Sequence, residues 1–162
     1  VEGVRLAAVV AATVVTGLLA GTFFGFAVGV MPGLARMGDR VVVGVMQRIN
    51  EAILNPWFLV VFVSNPVLAA VAVGVCVGSP WTVVGWLVAA LVCSVVSLAV
   101  TVRGSVPLND ALAAAGPVER LAEAEVARVR RRFEAGWVRF NVVRAVASTL
   151  ALGCLVVGAV LL

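Results

Sequence analysis

Apolar residues run almost unbroken through four stretches, about Leu6 to Val30, Trp57 to Val77, Trp81 to Val102 and Phe140 to Leu162. Polar residues gather between them. A bilayer's hydrocarbon core needs about 20 residues of helix to cross it, so each stretch predicts a membrane span. The first carries no charge and shows no short apolar region followed by a cleavage site, which predicts an uncleaved span. Within it Gly17, Gly21, Gly25 and Gly29 lie four apart. They line one face with small residues, where a neighbouring helix or a second copy can approach closely.

The polar intervals predict the rest. In "VMPGLARMGDR", Pro32 and Gly33 are expected to break the first helix, leaving Arg36, Asp39 and Arg40 at the interface. A further helix is expected from Asp39 to Asn55, partly tucked against the bundle, with Gln47, Asn50 and Glu51 on one face by i, i+3 and i+4 spacing. Pro56 ends it and Trp57 marks an interface. The second span holds "SNP", where Pro66 frees a carbonyl and Asn65 puts an amide at membrane depth. "GSP" at Gly78 to Pro80 predicts a tight turn. After the third span, "VPLNDAL" reads as an extended segment entering a helix capped by Asn109. Pro117 to Phe133 reads as a separate amphipathic helix ending in "RVRRR". The expected fold is all-α: an integral-membrane four-helix bundle with one extra helical segment before span two and one between spans three and four. Residues 1–162 form a single membrane domain in this reading.

Composition agrees. The chain is 63% hydrophobic and 12% charged, where a soluble domain is about 45–50% apolar and about 25% charged. Mean hydropathy is +1.17. All 12 basic residues are arginine, for a net charge of +4. They flank apolar segments, so headgroups and orientation explain them better than nucleic acid does. Arg36, Arg40 and Arg48 follow span one, and Arg103, Arg120, Arg128, Arg130, Arg131, Arg132 and Arg139 follow span three, against Arg5 alone on the other side. The positive-inside rule then puts both polar loops in the cytoplasm and both termini outside.

The chain has no histidine and no tyrosine. Haem held by histidine, two-His-one-carboxylate iron and His-ligated zinc or copper are excluded within one chain. Cys76, Cys93 and Cys154 lie in apolar segments without CxxC spacing and read as small buried hydrophobes. No metal or bound cofactor is expected.

One span breaks the apolar pattern. "WVRFNVVRA" opens the last, and Trp137, Asn141, Arg144 and Ser148 follow i, i+4, i+7 and i+11 on one helical face. An arginine in a span costs about 2.5–3.5 kcal/mol on insertion scales. It either snorkels to headgroups or faces the bundle interior, and Asn141 favours the interior because an amide needs partners. Gln47, Asn50, Glu51 and Asn109 fall at the same end of the bundle. Such a cluster is either a helix-registering network or a pocket.

The order and spacing of "VMPGL", "MQRINEAILNP", "VPLNDAL" and "WVRFNVVRA" resemble the small integral-membrane family that includes the anthrone oxygenases. The resemblance covers nearly the whole chain, at Met31, Pro32, Gln47, Asn50, Pro56, Pro107, Asn109, Trp137, Asn141 and Arg144. It implies a four-helix membrane bundle and, for some members, oxidation of a polyketide anthrone to an anthraquinone with O2 as co-substrate and no known cofactor. On that expectation Asn50, Asn109 and Asn141 donate to substrate oxygens, Arg144 stabilises developing negative charge, and Glu51 is the first choice of base with Asp110 second. Trp137 stacks on the flat tricycle, and Met31 and Gln47 complete the binding surface. Two other classes remain compatible with the residues. One is a cofactor-free cyclase or isomerase on a lipophilic polyketide-like substrate. The other is a non-catalytic scaffold, lipid-binding accessory or small-solute transporter. The expected partners are the lipid bilayer and a lipophilic aromatic small molecule, with the small-residue face of span one compatible with a homo-oligomer.

Overall fold

The computed structural model describes residues 2–162. Among them, four helices are long and apolar enough to cross a membrane: α1 (Glu2–Leu34), α3 (Pro56–Val75), α4 (Trp81–Ala114) and α5 (Glu123–Leu161). The shorter α2 (Asp39–Ile53) packs beside them. The chain is an all-α, multi-pass membrane bundle. Helix α5 has 39 residues, about 58 Å at 1.5 Å per residue, so its first half projects beyond a 30 Å core. The projecting parts of α4 and α5 pack against α2 and, with the end of α1, build one polar end.

One proline expectation is refined and another overturned, for one reason. Helix α1 ends within "VMPGLARMGDR", at Leu34, but runs through Pro32 as helix, and "VPLNDAL" is not an extended segment with a capping Asn109. Both stretches are helical, and each follows a five-residue π-helical turn, Phe26–Val30 in α1 and Thr101–Ser105 in α4. The Met31 N–H donates to the Phe26 carbonyl and the Val106 N–H to the Thr101 carbonyl, one residue further back than in an α-helix. Proline lacks an N–H and its ring crowds the carbonyl four residues back. A widened turn just upstream accommodates that ring, so Pro32 and Pro107 each follow such a turn at the same offset. Turns of this kind are frequent at functional sites.

The separate amphipathic helix expected over Pro117 to Phe133 is also corrected. Pro117 opens a turn that includes the 3-10 helix Val118–Arg120, and from Glu123 the chain runs as one helix to Leu161. No proline follows Pro117. Gly136, which disfavours helix by about 1 kcal/mol, is held by packing, because Leu108 lies 3.2 Å from where its Cβ would stand. Pro56 occupies the first turn of α3 rather than kinking it, and the Phe58 N–H donates to Asn55 Oδ1 as an N-cap, at 3.0 Å.

Hydrogen bonds lock the bundle at three depths. At the end away from the polar cap, Arg5 Nε donates to the Val75 carbonyl at 3.0 Å, beside Gly78 with its φ of +91°. In mid-bundle Asn65 Nδ2 donates to Thr16 Oγ1 at 2.7 Å, and Ser97 and Ser148 share a bond of 3.2 Å. The amide expected at membrane depth therefore finds its partner on α1. At the polar end two arginines tie the loops down. Arg130 of α5 binds Glu134 and Asp39 and donates to the Met37 and Ala35 carbonyls. Arg40 of α2 binds Glu123 and donates to the Val118 and Leu121 carbonyls. A charged hydrogen bond contributes about 1.5–3 kcal/mol when shielded. Allowing for partial exposure, Arg130→Ala is expected to lower stability by about 2 kcal/mol in detergent unfolding.

Most of the small-residue face of α1 is left open by the described residues. Only Gly17 has another side chain near its missing Cβ, Leu152 at 3.7 Å, while Gly21, Gly25 and Gly29 face open space. The three cysteines are free, with Cys76 buried.

Candidate functional site

The predicted stripe on α5 faces inward. Trp137, Asn141, Arg144 and Ser148 are 1–6% exposed. Arg144 therefore does not snorkel. Its Nη2 donates to Asn141 Oδ1 at 3.1 Å, while Asn141 Nδ2 donates to the Phe23 carbonyl of α1 at 3.0 Å. The guanidinium carbon stands 4.4 Å from the centre of the Phe23 ring and 5.5 Å from that of Trp137. Among the described residues no carboxylate forms an ion pair with it, and its Nε has no hydrogen-bond partner. Two desolvated aromatic faces contribute about 2 kcal/mol or more, and one charge-assisted bond about 1.5–3 kcal/mol. Together they offset the cost of placing an arginine in a span, yet leave its charge without a counter-ion.

Toward the polar end the stripe meets α4. Trp137 Nε1 donates to Asn109 Oδ1 at 2.9 Å. The indole also packs against Phe26 and Phe133, with ring centres 5.5 and 6.0 Å away, and joins an apolar cluster with Met31, Val43, Met46 and Leu112. Phe26 belongs to the π turn of α1, so the widened turn delivers a ring to the tryptophan.

On the far side of Asn109 a groove of about 400 Å³ opens between α2 and the last turns of α4 with the following loop. That volume lies within the range of about 300–1,000 Å³ usual for small-molecule sites. Gln47, Arg48, Asn50 and Glu51 line one wall, and Val106, Asn109, Asp110 and Glu119 line the other. Gln47 Nε2 donates to the Leu112 and Gly116 carbonyls at 3.1 and 2.9 Å, closing the C-terminus of α4 against α2. The Asn50 Nδ2 atom is buried without a partner. In Asn109 the indole already occupies Oδ1, so the amide turns its NH2 group, a donor, toward other partners.

The eight residues singled out by sequence thus divide into two connected groups. Gln47, Asn50, Glu51 and Asn109 line the groove, whereas Met31, Trp137, Asn141 and Arg144 are packed beneath it. Asn109 joins the two. Glu51 is not buried in a cluster: its side chain is 66% exposed and pairs with Arg48 at 3.1 Å. Asp110 lines the same groove and, among the described residues, forms no ion pair. Sequence reading missed Phe23 and Phe26, which hold Arg144 and Trp137. Their signal was the "GTFFGF" run just before "VMPGL".

A multi-pass helical bundle with a polar groove at the edge of its spans defines a small membrane protein built around an internal polar site. The sequence pattern of the anthrone oxygenases matches residues 57–154, and the chain belongs to that family. The match spans α3, α4 and most of α5, including Asn109, Trp137, Asn141 and Arg144. No curated protein and no solved structure matches the chain.

Proposed function

We propose that this protein is a cofactor-independent oxygenase that converts an anthrone-type aromatic polyketide to the corresponding anthraquinone in the groove between α2 and α4. The observation that carries the reading is Asn109: it lines the groove while the Trp137 indole fixes its amide as a donor. Donors held in place before the charge develops are the main requirement for stabilising an oxyanion. Asn50 also lines the groove, and its buried amide nitrogen has no hydrogen-bond partner among the described residues.

The chemistry needs little else. An anthrone carries an acidic methylene opposite its ketone. Loss of one methylene proton gives a delocalised oxyanion, which passes an electron to O2, and the two radicals combine at the former methylene carbon. Loss of water from the resulting hydroperoxide leaves the second carbonyl. One O2 is consumed, one of its atoms enters the product, and the other leaves in water with the two methylene hydrogens. Asp110 is the proton acceptor in this reading, since Glu51 is held by Arg48 at the exposed rim. The bilayer supplies both the lipophilic substrate and O2, with the arginine-rich polar end in the cytoplasm.

The test is oxygen uptake by the purified protein given an anthrone. One O2 per anthraquinone formed, with one labelled atom from 18O2 in the product, is the expected result. Proton exchange or ring closure without oxygen uptake would assign the groove to isomerisation or cyclisation instead. Asp110→Asn is expected to lower kcat about a hundredfold or more, the usual contribution of a positioned base.

A further inference from the structure

We infer that the groove holds its aromatic ligand preferentially in the ionised oxyanion form, once its proton has left, and that Arg144, which does not line the groove, favours that form through Trp137 and Asn109. This rests on the groove being the ligand site. Among the described residues, Arg144 carries a buried charge without a counter-ion, against the Trp137 ring at 5.5 Å. A cation over an indole face draws electron density from the ring and strengthens its N–H as a donor. That N–H reaches Asn109 Oδ1 at 2.9 Å. An amide polarised at its oxygen donates more strongly from its nitrogen, and successive hydrogen bonds reinforce one another in a low-dielectric interior. The sequence guanidinium, indole, amide, ligand oxygen therefore ends on the atom where negative charge is to be held.

The charges around the groove make such a device necessary. Arg48 is the cation in its lining and is bridged to Glu51, while Asp110 and Glu119 add two carboxylates. These four groups sum to a net charge of −2, which opposes an anionic ligand. The carboxylates of Glu51, Asp110 and Glu119 belong to exposed residues, where water screens them, whereas the orphaned Asn50 nitrogen and the Asn109–Trp137 pair lie on the buried side. Arg144 faces Phe23 of α1 and Asn141 and Trp137 of its own helix, with no titratable group among these contacts. The Trp137–Asn109 hydrogen bond connects the stripe to the groove, so polarisation by Arg144 reaches the groove through it.

A ligand that ionises visibly but cannot be oxidised in this reaction reads the effect directly. The probe is 2-hydroxyanthraquinone, titrated by absorbance while bound to the full chain in lipid nanodiscs. Bound to the wild type, it is expected to ionise at least one pH unit below the free compound, a tenfold or greater preference for the oxyanion. Arg144→Gln is expected to abolish that preference and Arg144→Lys to keep part of it. Trp137→Phe, which retains the ring but removes the N–H, is expected to abolish most of it, and Arg144→Gln added to Trp137→Phe to change little more. A merely structural role for Arg144 would weaken binding of both forms alike and leave the ionisation midpoint in place, overturning the inference while leaving the groove assignment standing. Equal, additive effects of the two substitutions would overturn the route through Trp137. Absence of probe binding, or binding unaffected by Asn109→Ala, would overturn the groove assignment itself and this inference with it.

Discussion

Asn109→Ala is expected to lower kcat for anthrone oxidation about a hundredfold or more, the loss typical of removing one preorganised oxyanion donor. The fold should survive. Alanine favours helix more than asparagine does, and Asn109 lies within a helical segment, Val106–Ala114, rather than at a cap. The indole N–H of Trp137 loses its acceptor, at a cost of about 1–3 kcal/mol, which predicts a measurable but tolerable drop in stability. Asn109→Asp separates the two contributions. It keeps the acceptor for Trp137 and removes the donor toward the groove, so stability should return while activity stays low. Steady-state turnover beside unfolding in the same detergent checks both. Full turnover in Asn109→Ala would move the chemistry out of the groove.

The largest structural effect is expected at Trp137. Trp137→Ala should destabilise the protein by about 3–5 kcal/mol, the range for emptying a buried large aromatic site. The indole is 5% exposed and serves four neighbours at once. It packs on Phe26 and Phe133, covers one side of the Arg144 guanidinium and donates to Asn109. Its removal strips one aromatic face from a buried cation that lacks a counter-ion. Trp137→Phe keeps the packing and the aromatic face, so most of the stability should remain. Unfolding monitored by helical circular dichroism distinguishes them, and equal stability of Trp137→Ala and the wild type would show that the cluster around Met31, Met46 and Leu112 does not depend on the indole.

The inward stripe on α5 was legible because helical period is local information. Four residues spaced i, i+4, i+7 and i+11 fall on one face whatever surrounds them. The membership of Asn109 in the site was legible from its end of the bundle, but its role was not. Its partner lies 28 residues away, and the acceptor of Asn141 is the Phe23 carbonyl, 118 residues away. No pattern within one helix carries such pairings. The exposure of Glu51 was not legible either, since its helical face does not reveal that it sits at an exposed rim paired with Arg48, three residues earlier.

The prolines show the same division. Pro32 and Pro107 carry a strong local preference to end a helix, and local reasoning placed breaks there. Packing of α1 and α4 against α5 keeps both segments helical, and a π turn before each proline absorbs the steric conflict.

By itself, the sequence determined an all-α membrane bundle of four spans, one polar end and a polar stripe on the last span, because hydropathy and helical period depend only on neighbours along the chain. The tertiary structure decided that Trp137 fixes Asn109, that Asn109 faces a groove, and that Arg144 lies beneath it without a counter-ion. Those relations depend on which helices meet, and at what depth. Helix contacts between distant segments set that, and no single stretch of residues contains it.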